Sequence, residues 1–470
     1  MPYQNEFADK TSHIDIVKNP DVVDFLERYH RINECQEEDI IASKSLFSTP
    51  EDNNFHKPDN IISIDGSFYE ASRKKEFPSQ KIGFIKFGVV LLQYKSLAQL
   101  SNSSKFVDPF EVAKFKENNE AYTFVLPSTN IVIDDCDDVQ ESFRAALEEQ
   151  FDKLRDREDD PNTSLKSTLF KMASYLDGCD KNKIRVKCPY CSRKNKENNE
   201  SENKDFYTYI YKDDNSPKCK CGKRLYVTDI LRIWEQVSDA TSNQSALSRT
   251  MNIVERLLAI HYIRSIVESL KDSYANTLEN LCFFIDGPLA VFGEPAKFHA
   301  CFMKYLHELN QTMRRLNKSD ILMVGIQKSG AINDYLNLIK DHINKGEVYC
   351  LTDEVRNKYV SFTKNAASDF FGKETYFGQD FLYKNKKGNV FVFNVPYPFE
   401  EKSKVQDFKK EKSNIANYKN IKVYTDLLDD FDCALYENAL IPTVLAHKYT
   451  AISMAPGSKV LDLLSKNKIV

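Results

Sequence analysis

Ile61-Ile62-Ser63-Ile64-Asp65-Gly66-Ser67 and, far downstream, Cys282-Phe283-Phe284-Ile285-Asp286-Gly287-Pro288 are two apolar runs that each lead into an Asp-Gly step. Short runs rich in β-branched and aromatic residues and closed by turn residues are strands. Strands distant in sequence can lie side by side in one sheet. If these two do, their C-terminal ends set two carboxylates together, an arrangement that holds oxygen-ligated Mg²⁺ or Mn²⁺ for phosphodiester hydrolysis. The alternative is a hairpin turn, the common use of Asp-Gly after an apolar run. Glycine is scarce, 14 of 470 residues, against a usual share of about 7%, so two such steps are harder to dismiss than one. A third, Asp177-Gly178, has no strand before it and reads as a turn.

Composition bounds what surrounds these strands. A chain of 470 residues with 41% hydrophobic and 12% aromatic content has material for two or three domains and a sizeable core. The N-terminal residues lack the basic and apolar regions of a signal peptide, and no run approaches the roughly 18 apolar residues of a membrane span. A cytoplasmic protein is expected. Eleven cysteines without an export signal argue for reduced thiols and metal ligation instead of disulfides. The net charge of −4 announces no nucleic acid, so any DNA contact needs local basic surface. One candidate is residues 402–422, with Lys402, Lys404, Lys409, Lys410, Lys412, Lys419 and Lys422; the other reading is a solvated loop.

Cys188-Pro-Tyr-Cys191 and Cys219-Lys-Cys221 form two short knuckles, separated by a polar, Gly-free stretch over 192–205 and a β-like run over 206–211. Four thiolates at such spacing suit tetrahedral Zn²⁺. The second pair is C-x-C, which leaves Cys179 as a substitute ligand. A closed four-sulfur site stabilises the fold and keeps no open position for catalysis. It is scaffolding.

The remaining pattern places a short helix near 21–31, a second β run over 82–94 that returns from the first Asp-Gly strand, strand-like stretches at 123–126 and 130–133, and a charged amphipathic helix over 139–157. A long helix over 245–274 precedes the second Asp-Gly strand. A helix over 295–317, a buried strand over 321–326, a β run over 389–395 and a helix over 432–450 broken at Pro442 complete the chain. The division is an N-terminal charged segment (1–55), a first part of the main domain (56–177), a zinc-ribbon insertion (178–232) and a second part (233–470). A meander followed by alternating helices and strands, with acids at strand ends, is the order of an α/β, RNase H-like core: a mixed sheet flanked by helices, here with an inserted zinc ribbon.

Five short motifs in this order resemble the NurA nucleases, which partner the HerA ATPase: Ile64-Asp65-Gly66-Ser67, Asn252-Ile-Val-Glu255-Arg, Ile285-Asp286-Gly287-Pro288-Leu289, Gly325-Ile-Gln-Lys328-Ser and Pro442-Thr-Val-Leu-Ala-His447. The resemblance covers most of residues 60–470. It implies a two-metal deoxyribonuclease with exonuclease and single-strand endonuclease activity, working as a homodimer on a HerA-like hexameric ATPase, in DNA end processing or anti-phage defence. Asp65, Glu255 and Asp286 would bind Mn²⁺ or Mg²⁺, with His447 beside them. A family tyrosine best matches Tyr436, at a longer separation from His447 than expected. Read without the family, a single His on a terminal helix such as His447 is more often a polar surface or capping residue, and Lys328 either meets phosphate or snorkels into solvent. The Gly-rich phosphate loop of ATPases is missing, so any ATP hydrolysis falls to another subunit. The rival is a non-catalytic DNA-binding adaptor for such a motor.

The long helix offers two glutamates for the site. At about 100° per residue, Leu247, Met251, Val254, Leu258, Tyr262 and Ile266 form one stripe; taking Met251 as zero, Glu255 lies near roughly 40° and Glu268 near roughly 260°. Glu255 therefore points inward, where an ionised carboxylate is costly unless paired or bound to metal. The other reading is a buried ion pair, with Arg144 as the partner.

Overall fold

The computed structural model describes residues 14–28, 35–52, 56–73, 77–95, 119–192, 206–360, 370–432, 440–453 and 457–466. Its strands are β1 (Asn60–Ser72), β2 (Lys81–Gln93), β3 (Asn119–Pro127), β4 (Lys183–Lys187), β5 (Tyr207–Tyr211), β6 (Leu281–Asp286), β7 (Leu322–Gln327), β8 (Glu347–Cys350), β9 (Gly378–Lys384) and β10 (Val390–Pro396). Eight of them form one sheet in the order β3-β2-β1-β6-β7-β10-β9-β8, and β4 and β5 form a separate hairpin. β1, β2 and β3 are an antiparallel meander, β6 runs parallel to β1, and β7 runs parallel to β6. These five strands have the RNase H-like order expected above. β10, β9 and β8 extend the sheet by antiparallel pairing.

The longer helices are α1 (Pro20–Arg28), α2 (Val139–Lys153), α3 (Leu165–Ala173), α4 (Gln244–Leu270), α5 (Phe298–Arg315), α6 (Ala331–Ile339), α7 (Ile421–Phe431), α8 (Ile441–Thr450) and α9 (Gly457–Lys466). β6 shows why its sequence is apolar throughout. Phe283 and Ile285 pack with α2 to α5 on one face, whereas Cys282 and Phe284 pack with α7 and α8 on the other. A strand covered on both faces has no polar side to show, and each such large side chain contributes about 1.5–3 kcal/mol on burial. α4 is buried over most of its circumference, not along one stripe.

Three expectations are corrected. Asp65-Gly66 does not end its strand: β2 keeps pairing with β1 through Ser72↔Lys81, so β1 runs on, while the parallel pairing to β6 stops at Ile64↔Ile285. Residues 130–133 are not a strand; Asn130 has φ 55° and Ile131 N–H donates to the Ser128 carbonyl, so the chain turns there. Of the helix expected over 432–450, residues 433–439 lie outside the described residues; Asp432 and Leu440 form an isolated bridge, α7 closes at Phe431 and α8 begins at Ile441. Pro442 lies in the first turn of α8, where a missing N–H costs nothing. It starts a helix and breaks none.

Candidate active site

Where β1 and β6 stop pairing, the next residue on each strand is an aspartate. Both share the face of Ile61, Cys282 and Phe284 by the period of two, which puts them under α8. Asp65 is buried, and its Oδ2 accepts hydrogen bonds from His447 Nδ1 and Thr450 Oγ1, each at 2.9 Å. His447 and Thr450 stand three residues apart on α8 and so share one helix face. Asp286 Oδ1 lies 3.0 Å from Lys328 Nζ, which follows β7.

Glu255 comes from α4, on the opposite side of the sheet. It reaches strand level because Gly66 has no side chain: a Cβ there would stand 2.7 Å from Glu255 Oε1 and 2.8 Å from Met251 Cγ. The Arg256 guanidinium pairs with the Glu255 carboxylate and donates to the carbonyls of Asn252 (3.1 Å), Asp286 (3.2 Å) and Pro288 (3.1 Å). Gly287, at φ 82°, takes the left-handed conformation at the turn that presents those last two carbonyls. Asp-Gly thus serves two ends here, close approach in β1 and a turn after β6.

Charge repulsion is built into this arrangement. Burial raises the Glu255 carboxyl to about 8, against the attraction of Arg256 and with the repulsion of Asp65 and Asp286. Burial likewise raises Asp286, partly opposed by Lys328 and reinforced by Asp65. Burial would raise Asp65 too, but the hydrogen bonds from His447 and Thr450 and the charge of Lys328 outweigh it, so its carboxyl titrates below the usual range. The His447 imidazole is raised, chiefly by its hydrogen bond to Asp65.

Three carboxyl groups that resist sharing their charge, all of them hard oxygen donors, fit divalent Mg²⁺ or Mn²⁺. They do not all approach within 4.8 Å of one another, as the four cysteines do. Paired ions about 3.5–4 Å apart do not require it. Lys328, Arg256 and His447 supply the local positive charge.

The structure therefore brings Asp65, Asp286, Glu255, His447 and Lys328 together. Tyr436 lies outside the described residues. Glu268 is exposed, hydrogen-bonded to Arg264 and Lys171, and lies apart from the cluster. Arg144 is not the partner of Glu255: its Nε is 2.7 Å from Asp229 Oδ1. The sequence reading missed Arg256 and Thr450. Arg256 adjoins Glu255 in the chain, but nothing local shows that its guanidinium folds back on its neighbour; Thr450 is signalled only by its spacing from His447.

Cys188, Cys191, Cys219 and Cys221 form a group able to hold a metal ion. Cys188 Sγ and Cys221 Sγ are 3.8 Å apart, Cys191 Sγ and Cys219 Sγ 3.7 Å. The edge of a tetrahedron with metal–sulfur bonds of about 2.3 Å is about 3.8 Å, so the fit is close. Cys179 stands outside the group and accepts the Arg185 N–H instead. The basic stretch 402–422 is partly paired. Lys412 is buried against Asp353 at 2.7 Å, Lys402 donates to the carbonyls of Gly372 and Lys373, and Lys404, Lys409 and Lys422 pair with Glu400, Glu354 and Asp426. Lys412 is thus spent inside the fold, whereas Lys404, Lys410 and Lys419 are exposed.

Among the described residues no helix is long and apolar enough to cross a membrane. No protein-family description matches the chain, and no curated protein matches it. Among solved structures it is similar to the NurA nuclease from Sulfolobus solfataricus, at 8% identity and TM-score 0.32 over 97% of this chain and 96% of that one. It is also similar to a NurA structure with manganese, at 14% identity and TM-score 0.26 over 96% of this chain and 97% of that one.

Proposed function

We propose that the protein is a metal-dependent deoxyribonuclease that hydrolyses phosphodiester bonds at the Asp65–Glu255–Asp286 site. The observation that carries this reading is the meeting of three carboxyl groups from β1, β6 and α4, with Glu255 raised to about 8 by burial and its two acidic neighbours. Bound Mn²⁺ or Mg²⁺ would supply the charge that activates water and stabilises the leaving oxygen. Asp65 and Asp286 present oxygens from one face of the sheet and Glu255 from the other. With Nδ1 donating to Asp65, the protonated His447, favoured by that contact, has Nε2–H left to donate to a phosphate oxygen. Lys328 meets the same oxygens as a point charge, and Arg256 holds Glu255 and the turn after β6 in register.

In the same reading Cys188, Cys191, Cys219 and Cys221 hold a structural Zn²⁺. The exonuclease and single-strand endonuclease modes, the homodimer, the HerA-like hexameric ATPase and the role in DNA end processing or anti-phage defence rest on the motif resemblance. The missing phosphate loop agrees with a separate motor. The test is digestion of linear, circular and single-stranded DNA with Mn²⁺, with Mg²⁺ and with chelator, each with and without the co-encoded ATPase. Metal-dependent cleavage is expected; DNA binding with no cleavage in any arm would replace the nuclease by the adaptor.

A further inference from the structure

We propose that the outer face of the β4–β5 hairpin binds single-stranded DNA, stacking bases on Tyr207, Tyr209 and Tyr211 beside the cations of Lys183 and Arg185; as a substrate platform it rests on the nuclease reading. The hairpin pairs Lys183↔Tyr211, Arg185↔Tyr209 and Lys187↔Tyr207, so every cross-strand pair on this face joins a cation to a ring. The other face, Ile184, Val186 and Ile210, is buried in the main core. The alternation of a strand therefore fixes the three tyrosines outward, and they are 43%, 41% and 56% exposed. Lys183 Nζ lies 4.9 Å from the Tyr209 ring centre and the Arg185 guanidinium 4.3 Å from that of Tyr207. Lys187 is committed to Glu235 at 3.2 Å, and among the described residues the acidic contact of Lys183 is a long one to Asp180, 3.9 Å.

Three exposed rings are costly on a surface that does nothing with them. Their chemistry points to an anionic, aromatic polymer. Bases stack on the rings whatever their sequence, and phosphates meet the flanking cations. Alternate residues of a strand are spaced about 6.8 Å, twice the 3.4 Å rise per nucleotide of a duplex strand. The rings thus suit bases that have been drawn apart and cannot be reached in a stacked duplex. The four-cysteine cluster lies at the end of the hairpin where β4 leads into its connection to β5, with Cys188 directly after β4.

The experiment measures binding of the full-length, zinc-replete protein to fluorescent twenty-nucleotide oligothymidylate and to a twenty-base-pair duplex, without added Mg²⁺ or Mn²⁺. Replacing Tyr207, Tyr209 and Tyr211 together by Ala should weaken oligothymidylate binding on the order of a hundredfold, with zinc content unchanged. Replacement of all three by Phe should preserve binding. Lys183→Gln with Arg185→Gln should lower the salt slope by about 1.4, two phosphate contacts at about 0.7 each. If the triple Ala protein loses zinc, Tyr209→Ala alone, expected to weaken binding by about tenfold, decides. Unchanged binding in the Ala variants assigns the face to another partner and overturns the proposal, as does equal or tighter binding of duplex by the wild type. A wild type that never cleaves DNA but binds oligothymidylate through these tyrosines would overturn the nuclease reading alone.

Discussion

Glu255→Gln separates the two roles open to this buried side chain. Its carboxyl has an ordinary value of 4.5 and is raised to about 8 in the folded protein. A group whose folded value is raised contributes stability that is fully present below its unfolded value and is lost as pH rises toward the folded one. Between pH 4.5 and 7 the unfolded chain gains 2.5 units of ionisation that the metal-free folded protein forgoes, about 3 kcal/mol at 1.36 kcal/mol per unit. Gln mimics the protonated acid and loses nothing. The metal-free variant should therefore be more stable than the wild type by up to about 3 kcal/mol at pH 7, and by less than about 1 kcal/mol at pH 5. Unfolding entropy near 2.1 cal/mol/K per residue makes that a rise of a few degrees in Tm for a chain of this length. Mn²⁺ at about a thousand times its Kd should reverse the order, since it adds about 4.1 kcal/mol to the protein that binds it. Cleavage by the variant should fall by roughly a hundredfold or more, while Glu268→Gln, whose exposed carboxylate pairs with Lys171 and the buried Arg264 away from the cluster, stays active. Thermal scans at pH 5, 7 and 9 with and without Mn²⁺, beside a nuclease assay, read all of this. A loss of several kcal/mol in the metal-free variant at pH 7 would refute the reasoning. That is the cost, about 3–5 kcal/mol, of leaving a buried Arg256 without its ionised partner, and it would make Glu255 structural. Cleavage lost in Glu268→Gln and kept in Glu255→Gln would move the site to Glu268.

Asp65→Asn or Asp286→Asn should abolish most cleavage while the fold survives, and substantial residual Mn²⁺-dependent cleavage in either would count against the site. Gly66→Ala should lower cleavage and cost about 1–3 kcal/mol, because the new Cβ would stand 2.7 Å from Glu255 Oε1; wild-type activity in that variant would show that Glu255 need not reach strand level. The His447–Asp65 contact raises His447, so its contribution to stability should be full below pH 6.5 and fade as pH rises through the elevated imidazole value; an NMR titration should place that value above the one found in Asp65→Asn. Purified protein should carry about one Zn²⁺ per chain, and Cys188→Ser with Cys191→Ser should lose both the metal and thermal stability. Metal analysis that finds no zinc in protein prepared without chelator would remove the zinc site.

Several features were legible from residues alone because they are local. A run such as Leu281–Ile285 is apolar at every position, short, rich in aromatic residues and closed by Asp286-Gly287, which reads as a strand covered on both faces. The spacing of four cysteines restricts the geometry of their sulfurs. The phase of α4 put Glu255 inward of Glu268, and Glu255 is buried, but α4 is covered over most of its circumference and Glu268 is exposed because it lies in the last turn. Pairing partners are another matter, because they are set by chain segments that meet only on folding. Asp65 looked like the end of a strand, and continued pairing with β2 makes it the middle of one. Glu255 finds Arg256 and not Arg144, since Arg144 lies against Asp229. The lysines of 402–422 read as a surface charge run, yet Asp353, Glu354 and Asp426 take up several of them. A charge is visible in a sequence, but its counter-charge is a property of three-dimensional distance, and electrostatic energy depends on that distance and on the burial that accompanies it.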